Sequence, residues 1–573
     1  MNTNIFDEKR DNMDNNNTNN TNGLRYEVFS IGNFESFLDY FAKKLAVASG
    51  TELAEVRVKP HFSFLAKYTE TIQPKTVIIE FDYVDRDFLE DYATYHVRSF
   101  RDYKKRCIRL LFFSSVFSQD DFNEILIQGE TSSFLPELTN SYLGYMVVRP
   151  LPRTMIGRTA LKTYPNQSES DPNCIRYYPG IFPCKSNLFG IPLSVDSLPF
   201  QEQDRSVSAC ATSALWSALH KVADIFDRPT LSPAEITKLA MQGTSFTGQV
   251  FPNNGLTASQ ISNAIRAIGI ETKYIDFTEF TNQKDVLGLK ELVYSYLVAG
   301  IPIIFAFDLF RQQKNNQSPT LWELYGRHAV TIAGYALSTE THQYNDDTIR
   351  IAAHRLQKLY VHDDQTGPFS KMTFEDSNQI QHKGTLKKTL SLFTGWDNEK
   401  YNYRAVPVLL LIPLYHKIRI DYPKIREFAY GVDSYIRKLA WGNLTDIWNK
   451  NVSWKIELSF LNDYKKTMFQ NNDASAEEKV RALTCSLPRF FWNCSLEANG
   501  KKAIDFLFDA TDISSGDLFV HYVKYQSNFS RGIIKLFENL LSPSQQLIPE
   551  HSSLRCTLDL ILQNYKNRHS DIT

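Results

Sequence analysis

The longest apolar run in the chain, VPVLLLIPLY at 406–415, limits the fold most strongly. A membrane-spanning helix needs about 20 consecutive apolar residues, so this run is far too short to cross a bilayer. It also contains Pro407 and Pro413, which are unfavourable inside a helix. The run therefore predicts a buried strand, and the sequence predicts no membrane span and no membrane partner.

Helix-like and strand-like patterns alternate along the rest of the chain. FESFLDYFAKKLAVA (34–48) has helical spacing, whereas TVIIEFDYV (76–84) and CIRLLFFSS (107–115) resemble strands. The 573 residues, 43% of them hydrophobic, suffice for more than one domain. We predict an α+β protein with a disordered Asn-rich tail (1–23), an N-terminal α/β region (24–195), a central region (196–400) and a C-terminal α+β region (401–573).

Net charge and cysteine content indicate the class of partner and the cellular compartment. The formal net charge is -1, which does not favour a nucleic-acid partner. The seven cysteines are an odd number and form no Cys-x-x-Cys pair, a pattern that fits a reducing cytoplasm. The first 23 residues lack the apolar core of a signal peptide. These features predict a cytoplasmic protein.

The stretch 85–113 contains a basic cluster that could bind an acidic partner or nucleic acid. The clustered basic residues are Arg98, Arg101, Lys104, Lys105 and Arg106. Acidic residues of the same stretch include Asp85, Asp87, Glu90 and Asp91. Because the acidic side chains balance the basic ones, the pattern favours a solvated helix face over a nucleic-acid site.

A cysteine stands where a polar run meets a helix-like run, in QEQDRSVSACATSALWSALH (201–220). Small and apolar residues follow Cys210 at helical spacing, so Cys210 is predicted in the first turn of a helix. The positive end of the helix dipole and unpaired backbone N–H groups favour a thiolate there. Alone, such a cysteine is more often a small buried hydrophobic residue.

A base and an orienting carboxylate occur downstream. His328 opens the strand-like run HAVTIAGYAL, and Asp363 ends the strand-like LYVHD. Strand alternation places Asp363 on the face opposite to His362 and Asp364, and Asp364 is kept as the alternative carboxylate. Each residue also has an ordinary explanation, as a structural histidine or part of a polar turn.

A hydrogen-bond donor for an oxyanion is predicted upstream of the cysteine. Gln203 could supply a side-chain N–H beside the backbone N–H of Cys210. Gln201 is the alternative, and either glutamine could be a solvated loop residue.

Over residues 196–375 these elements resemble the papain-like cysteine peptidases, in particular the bacterial branch of bacteriocin-processing (double-glycine leader) peptidases. The resemblance comprises Gln before Cys at a helix start, His in HAVTIAGY, and Asp at the end of the next strand. Two intervening segments agree with it, NNGLTASQISNAIRAIGIETKYI (253–275) and LVYSYLVAGIPIIFAFDL (292–309). The resemblance implies a helix that carries Cys210 and an antiparallel sheet that carries His328 and Asp363.

The resemblance also implies an activity. A Cys210–His328–Asp363 triad, with Gln203 in the oxyanion hole, would cleave a peptide or protein substrate through an acyl-enzyme, without a cofactor. The alternatives are a Cys-dependent acyltransferase or transamidase, and a catalytically silent interaction module. The two flanking regions are predicted to serve substrate choice, regulation or docking of a regulatory protein partner.

A metal site is a weaker alternative. His354, His362, Asp363 and Asp364 are close in sequence and of ligand type, but they lack a recognised spacing. No Walker-type loop and no GxGxxG motif precedes a helix, so no nucleotide cofactor is predicted.

Overall fold

A computed structural model provides the fold. It describes residues 25–167, 171–204, 210–242, 255–277, 283–315, 322–339, 349–382, 385–438, 448, 452–512, 514, 518–525, 527–542, 548–549 and 552–570. The chain is a mixed α+β protein with several sheets, as the sequence predicts. The predicted disordered tail, 1–23, lies outside the described residues.

The N-terminal region contains a five-stranded antiparallel sheet in the order β1-β2-β3-β4-β5. Its strands are β1 (Tyr26–Ser30), β2 (Thr76–Tyr83), β3 (Cys107–Phe113), β4 (Tyr142–Val148) and β5 (Ile156–Leu161). Its helices are α1 (Phe34–Ser49), α2 (Leu53–Val58), α3 (Pro60–Ile72), α4 (Arg86–Thr94), α5 (Gln119–Gln128) and α6 (Leu135–Asn140). A hairpin of β7 (Phe182–Leu188) and β8 (Ile191–Ser197) follows β6 (Cys174–Tyr177).

The central sheet is antiparallel and closes on itself. Its strands are β9 (Glu271–Asp276), β10 (Ile303–Gln313), β11 (Glu323–Ser338), β12 (Leu356–Asp363), β13 (Gly367–His382), β14 (Thr385–Phe393) and β15 (Tyr401–Leu414). Strands β10 to β15 pair in sequence, and β15 also pairs with β10 to complete a six-stranded ring. Strand β9 adds to β15, and β6 adds to β11. The sheet thus extends beyond the predicted boundary at residue 400 because β15 belongs to it.

Four helices accompany the central sheet: α7 (Cys210–Phe226), α8 (Pro233–Ala240), α9 (Ala258–Ala267) and α10 (Gln283–Leu297). Helix α7 is buried along most of its length because Ala, Leu and Trp cover all sides of it. Helix α9 begins at a capping box, in which Thr257 and Gln260 satisfy each other's backbone N–H groups.

The C-terminal region contains a four-stranded antiparallel sheet in the order β16-β17-β18-β19. The strands are β16 (Val452–Phe460), β17 (Phe490–Ala498), β18 (Lys501–Asp509) and β19 (Phe519–Lys524). The described helices are α11 (Tyr422–Lys438), α12 (Leu461–Gln470), α13 (Ala476–Thr484), α14 (Ser527–Leu540) and α15 (Ser553–Ser570). None of the helices in the described ranges is long and apolar enough to cross a membrane.

Two predictions of local structure are wrong. Strand β11 begins at Glu323, so His328 lies inside the strand and not at its start. Helix α4 ends at Thr94, and a short 3-10 turn, His96–Arg98, follows it, so the basic residues from Arg98 to Arg106 do not form a helix face. The helix ends early because the chain must turn before the buried strand β3.

The acidic residues of the same stretch do not balance the basic ones on the surface. Asp85, Asp87 and Asp91 are buried. Asp87 accepts hydrogen bonds from Trp216 Nε1 at 2.9 Å and pairs with Arg158 at 2.6 Å. Asp91 accepts from the backbone N–H of Ala234 at 3.0 Å. These carboxylates connect the N-terminal region to α7 and α8.

Candidate active site

Cys210 is the first residue of helix α7 and is partly buried. The helix packs on β11, where the hydroxyl of Thr331 donates to the carbonyl oxygen of Ala214. This bond lies one turn beyond Cys210 and fixes the start of the helix against the strand that carries His328. The predicted position of Cys210 in the first turn is confirmed by the bounds of the helix.

Strand register brings His328 and Asp363 together. Thr331 lies opposite His362 and Ile332 opposite Val361 in the antiparallel pair of β11 and β12. Continuing that register places Asp363 diagonally across from His328, within reach of a long side chain. His328 Nε2 lies 2.9 Å from Asp363 Oδ1. Since a carboxylate only accepts, Nε2 carries the proton and donates it.

The side chains of Cys210 and Asp363 both act on the imidazole of His328. Because Nε2 faces Asp363, Nδ1 is the ring nitrogen available to the thiol. Burial by itself would lower the pKa of His328, but the charge and hydrogen bond of Asp363, the side chain of Cys210 and the charge of Asp364 raise it well above its usual value.

Asp363 is held as a carboxylate by three donors. Besides His328, Trp396 Nε1 donates to Oδ2 at 2.7 Å and the backbone N–H of Gln365 donates to Oδ1 at 3.0 Å. Burial alone would raise the pKa of Asp363, but His328, Trp396 and Gln365 together lower it. The Trp396 ring also packs edge-on against His328, with ring centroids 5.2 Å apart. The ring thereby covers the bond between the histidine and the aspartate.

Asp364 faces the same histidine, which strand alternation did not predict. Its Oδ1 lies 3.4 Å from His328 Nε2 and has no hydrogen-bond partner. The alternation stops because β12 ends at Asp363, and Asp364 lies in the turn beyond it. Burial, the largest influence, and the charge of Asp363 raise the pKa of Asp364 to about 6. The shorter contact and the bound donors favour Asp363 as the orienting carboxylate.

Gln203 lies at the same turn. Its Oε1 accepts from Gln365 Nε2 at 3.3 Å, and the same Nε2 donates to Asp364 Oδ2 at 3.0 Å. This arrangement leaves the amide N–H₂ of Gln203 available to another acceptor. Gln201 is buried two residues earlier and makes no comparable contact with the turn among the described residues. Of the two glutamines, Gln203 is therefore the one in contact with the turn that carries Asp364.

The N-terminal region reaches the site with two histidines that no sequence pattern distinguishes. His61 Nε2 lies 2.7 Å from the backbone oxygen of Asp364. His96 Nε2 lies 2.8 Å from Asp204 Oδ2, and both residues are buried. Lys59 pairs with Glu202 at 2.8 Å. Glu202 and Asp204 flank Gln203, so these contacts hold the segment that leads toward Cys210.

The four residues considered as a weaker, metal-binding alternative are not brought together as a set. His354 pairs with Glu291 at 2.8 Å, and His362 contacts the carbonyl of Leu198 at 3.1 Å. Burial lowers the pKa of His362 to about 3, so its ring is neutral. A different group, His328, Asp363 and Asp364, has ligand atoms within 4.8 Å of one another. In that group Nε2 of His328 carries a proton for Asp363, and a metal would have to replace it.

Trp396, Gln365, His61 and His96 are the site residues that the sequence analysis missed. All are far in sequence from Cys210, and no local pattern distinguishes them. No protein-family model matches the chain, and the curated proteins contain no match to it.

Proposed function

We propose that the chain is a papain-like cysteine peptidase that cleaves a peptide or protein substrate. One observation supports this most: His328 Nε2 pairs with Asp363 at 2.9 Å, and the side chain of Cys210 also raises the pKa of the same imidazole. A nucleophile, a base and a group that orients the base are the three parts that acyl transfer requires. The order of these residues along the chain and the helix start at Cys210 agree with the proposal.

The proposed reaction begins with proton transfer from Cys210 Sγ to His328 Nδ1. The raised pKa of His328 favours this transfer, because it stabilises the imidazolium beside Asp363. The thiolate then attacks the carbonyl carbon of the scissile bond. The negative charge moves to the carbonyl oxygen, where the Gln203 side-chain N–H₂ and the Cys210 backbone N–H are proposed to donate.

Collapse of this intermediate breaks the C–N bond. His328 gives its proton to the leaving amine, and a thioester remains on Cys210. Water then loses a proton to His328 and attacks the thioester, which releases the acid and restores the thiol. An amine in place of water would complete a transamidation by the same steps.

The packing of Trp396 against His328 supports the proposed role of His328 as the base. Trp396 keeps water away from the His328–Asp363 bond, which strengthens the electrostatic interaction between them. The seven cysteines are free, which is compatible with the reducing cytoplasm that we propose as the location.

Competitive alkylation with limiting iodoacetamide at about pH 6 tests the proposal, since ordinary thiols are protonated and slow there. Mass spectrometry then ranks the seven cysteines. Cys210 should be labelled far ahead of Cys556, which is exposed and serves as the internal control. A slower Cys210 would contradict a primed nucleophile and favour the silent interaction module.

Two variants sharpen that experiment. His328→Ala should abolish the preference for Cys210. Asp363→Asn should lower the labelling of Cys210 by about tenfold at the same pH, since it removes the charge that stabilises the imidazolium. Asp364→Asn is the matched control and should have a smaller effect, because Asp364 is about half protonated at pH 6 and lies farther from His328 Nε2, at 3.4 Å.

A further inference from the structure

An exposed tyrosine lies at an irregular point of β11, the strand that carries the candidate base. In the antiparallel pair of β10 and β11, Leu309 lies opposite Gly326 and Phe310 lies opposite Leu324. In this register Tyr325 is the extra residue on β11 and forms a β-bulge. A bulge redirects the side chain of the extra residue, and bulges are frequent beside active sites.

The bulge brings the Tyr325 ring to the side of the sheet on which the His328 ring lies. In an uninterrupted strand, residues separated by an odd number of positions point to opposite faces, as Tyr325 and His328 would. Here the rings of both residues contact Trp396, whose ring centroid lies 6.2 Å from that of Tyr325 and 5.2 Å from that of His328. The Trp396 ring thus connects the tyrosine to the candidate active site.

Other side chains hold the Tyr325 ring in place. The ring of Tyr403, which is buried, packs edge-on against it with centroids 5.6 Å apart. The guanidinium of Arg311 lies 4.9 Å from the ring centroid of Tyr325 and 5.0 Å from that of Tyr401. Arg311 is itself paired with Glu323 at 3.0 Å. A side chain that is already ordered in this way loses little freedom when a ligand binds to it.

These partners do not cover the ring. Tyr325 is 49% exposed, and Trp396 is only partly buried. Aromatic surface gains free energy when it is removed from water, and aromatic side chains dominate the energetics of interfaces. Steps of 6.2 and 5.2 Å separate the Tyr325 ring from the His328 ring, a span that an extended peptide covers in about four residues. The exposed surface is therefore within reach of a peptide whose scissile bond lies at Cys210.

The surroundings of the ring indicate which kind of side chain would bind. Arg311 already lies over the Tyr325 ring, so a lysine or arginine of the substrate would meet a like charge. An acidic side chain would find Arg311 neutralised by Glu323. Aromatic rings pack well edge-to-face, as the rings of Tyr325, Trp396 and Tyr403 do with one another. The surface therefore suits an aromatic side chain best.

We propose that Tyr325 and Trp396 form a subsite for an aromatic side chain of the peptide substrate, within about four residues of the scissile bond. As a determinant of substrate choice, the subsite rests on the proposed peptidase function. Binding of a peptide to it needs only the rings and does not require the thiol of Cys210.

Affinity selection from a peptide library tests the proposal without relying on cleavage. The full chain carrying Cys210→Ala is mixed with peptides of about eight residues, which reach about four residues to either side of a scissile bond. Mass spectrometry identifies the peptides that are retained. Peptides that contain phenylalanine, tyrosine or tryptophan should be retained about tenfold over the same peptides with alanine at that position.

Variants in the same Cys210→Ala chain locate the binding. Tyr325→Ala should abolish the enrichment of aromatic peptides, and Tyr325→Phe, which keeps the ring, should retain most of it. Tyr177→Ala is the matched control and should bind as the Cys210→Ala chain does. Tyr177 is 40% exposed and stacks on Tyr335 with centroids 5.3 Å apart, on the same sheet but much farther along β11.

The proposal is overturned if aromatic peptides are not enriched, or if Tyr325→Ala and Tyr177→Ala retain them equally. Labelling of the parent chain with iodoacetamide reports separately on Cys210. If Cys210 is not labelled preferentially but the enrichment depends on Tyr325, the peptidase proposal fails and the subsite remains as a peptide-binding site.

Discussion

Both flanking regions share an apolar core with the central region, but the N-terminal region also places buried polar side chains beside the candidate site. The N-terminal region places His61 and His96 against Asp364 and Asp204, directly beside the candidate site. The C-terminal region shares one continuous apolar core with the central region, and this core includes Trp216, Leu410 and Trp492. Its polar contacts with the central region, such as Tyr422 to Glu291 at 2.7 Å on α10 and Trp454 N–H to Arg350 O at 2.8 Å, do not include the triad among the described residues.

The two sets of contacts are expected to affect different properties of the protein, its stability and the position of its site residues. Apolar burial is not directional and scales with area, so we expect contacts that lie only in an apolar core, as on the C-terminal side, mainly to add stability. Hydrogen bonds between buried groups depend on distance and angle, so we expect the N-terminal contacts of His61 and His96 also to position the residues around Gln203. We therefore expect changes at the C-terminal junction to alter the free energy of unfolding, and changes at the N-terminal junction to alter the site as well.

The largest effect is expected from a chain that ends at Lys400. It lacks β15, and β10 and β9 lose their shared partner in the central sheet. The backbone groups and apolar side chains left without partners should prevent cooperative folding. Calorimetry should show no cooperative transition, and a sharp transition close to that of the full chain would contradict the shared sheet.

The second-largest effect is expected for Trp492→Ala, in the apolar core that the central and C-terminal regions share. Trp492 is fully buried, and its indole N–H donates to Ile420 O at 2.9 Å. Its loss should lower the free energy of unfolding by about 3–5 kcal/mol in a urea titration. Phe469→Ala, at a side chain that is 70% exposed, is the control and should change little. Cys210 should keep its preference for iodoacetamide under native conditions, because no contact of Trp492 lies at the site.

A smaller loss of stability, with a change at the site, is expected for His96→Asn. The shorter side chain loses the 2.8 Å hydrogen bond to buried Asp204, which should cost about 1–3 kcal/mol of unfolding free energy. The labelling rate of Cys210 should fall at the same time, in contrast to Trp492→Ala. Equal labelling in the two variants would show that the N-terminal region does not position the site.

The smallest effect, and a pH-dependent one, is expected for Asp364→Asn. The folded state raises the pKa of Asp364 to about 6, above its usual value, so folding favours the protonated carboxyl. That contribution is complete below about pH 4 and is lost as the pH rises through about 6. The variant should therefore be more stable than the parent by about 1–3 kcal/mol at pH 8 and should gain nothing at pH 4. Urea titrations at both values measure this, and a gain independent of pH would contradict it.

The pKa shifts of His328 and Asp363 have opposite signs, so the two residues stabilise the fold in different pH ranges. The pKa of His328 is raised, so its stabilising contribution is present below about pH 6.5 and is lost as the pH rises through the folded value. The pKa of Asp363 is lowered, so its contribution is present above about pH 4 and is lost on acidification through the folded value.

Local elements were predictable from the sequence wherever the pattern is strong. The helix from Cys210 and the strand that ends at Asp363 follow from the spacing of apolar residues, which reports the face that must be buried. The beginning of β11 was not predictable, because the residues from Glu323 to Arg327 are mostly exposed and lack an apolar pattern. Their strand conformation comes from pairing with β10.

The sequence by itself determined which chemical groups were available: a cysteine at a helix start, a histidine in a strand, and a carboxylate at the end of the next strand. Only the tertiary structure decided that Asp364 also faces His328, that Trp396 covers the pair, and that His61 and His96 hold the surrounding segment. The reason is physical: local patterns report burial and periodicity, whereas these contacts join residues far apart in the chain. Their existence depends on strand register and on the packing of the N-terminal region, which no short stretch of sequence encodes.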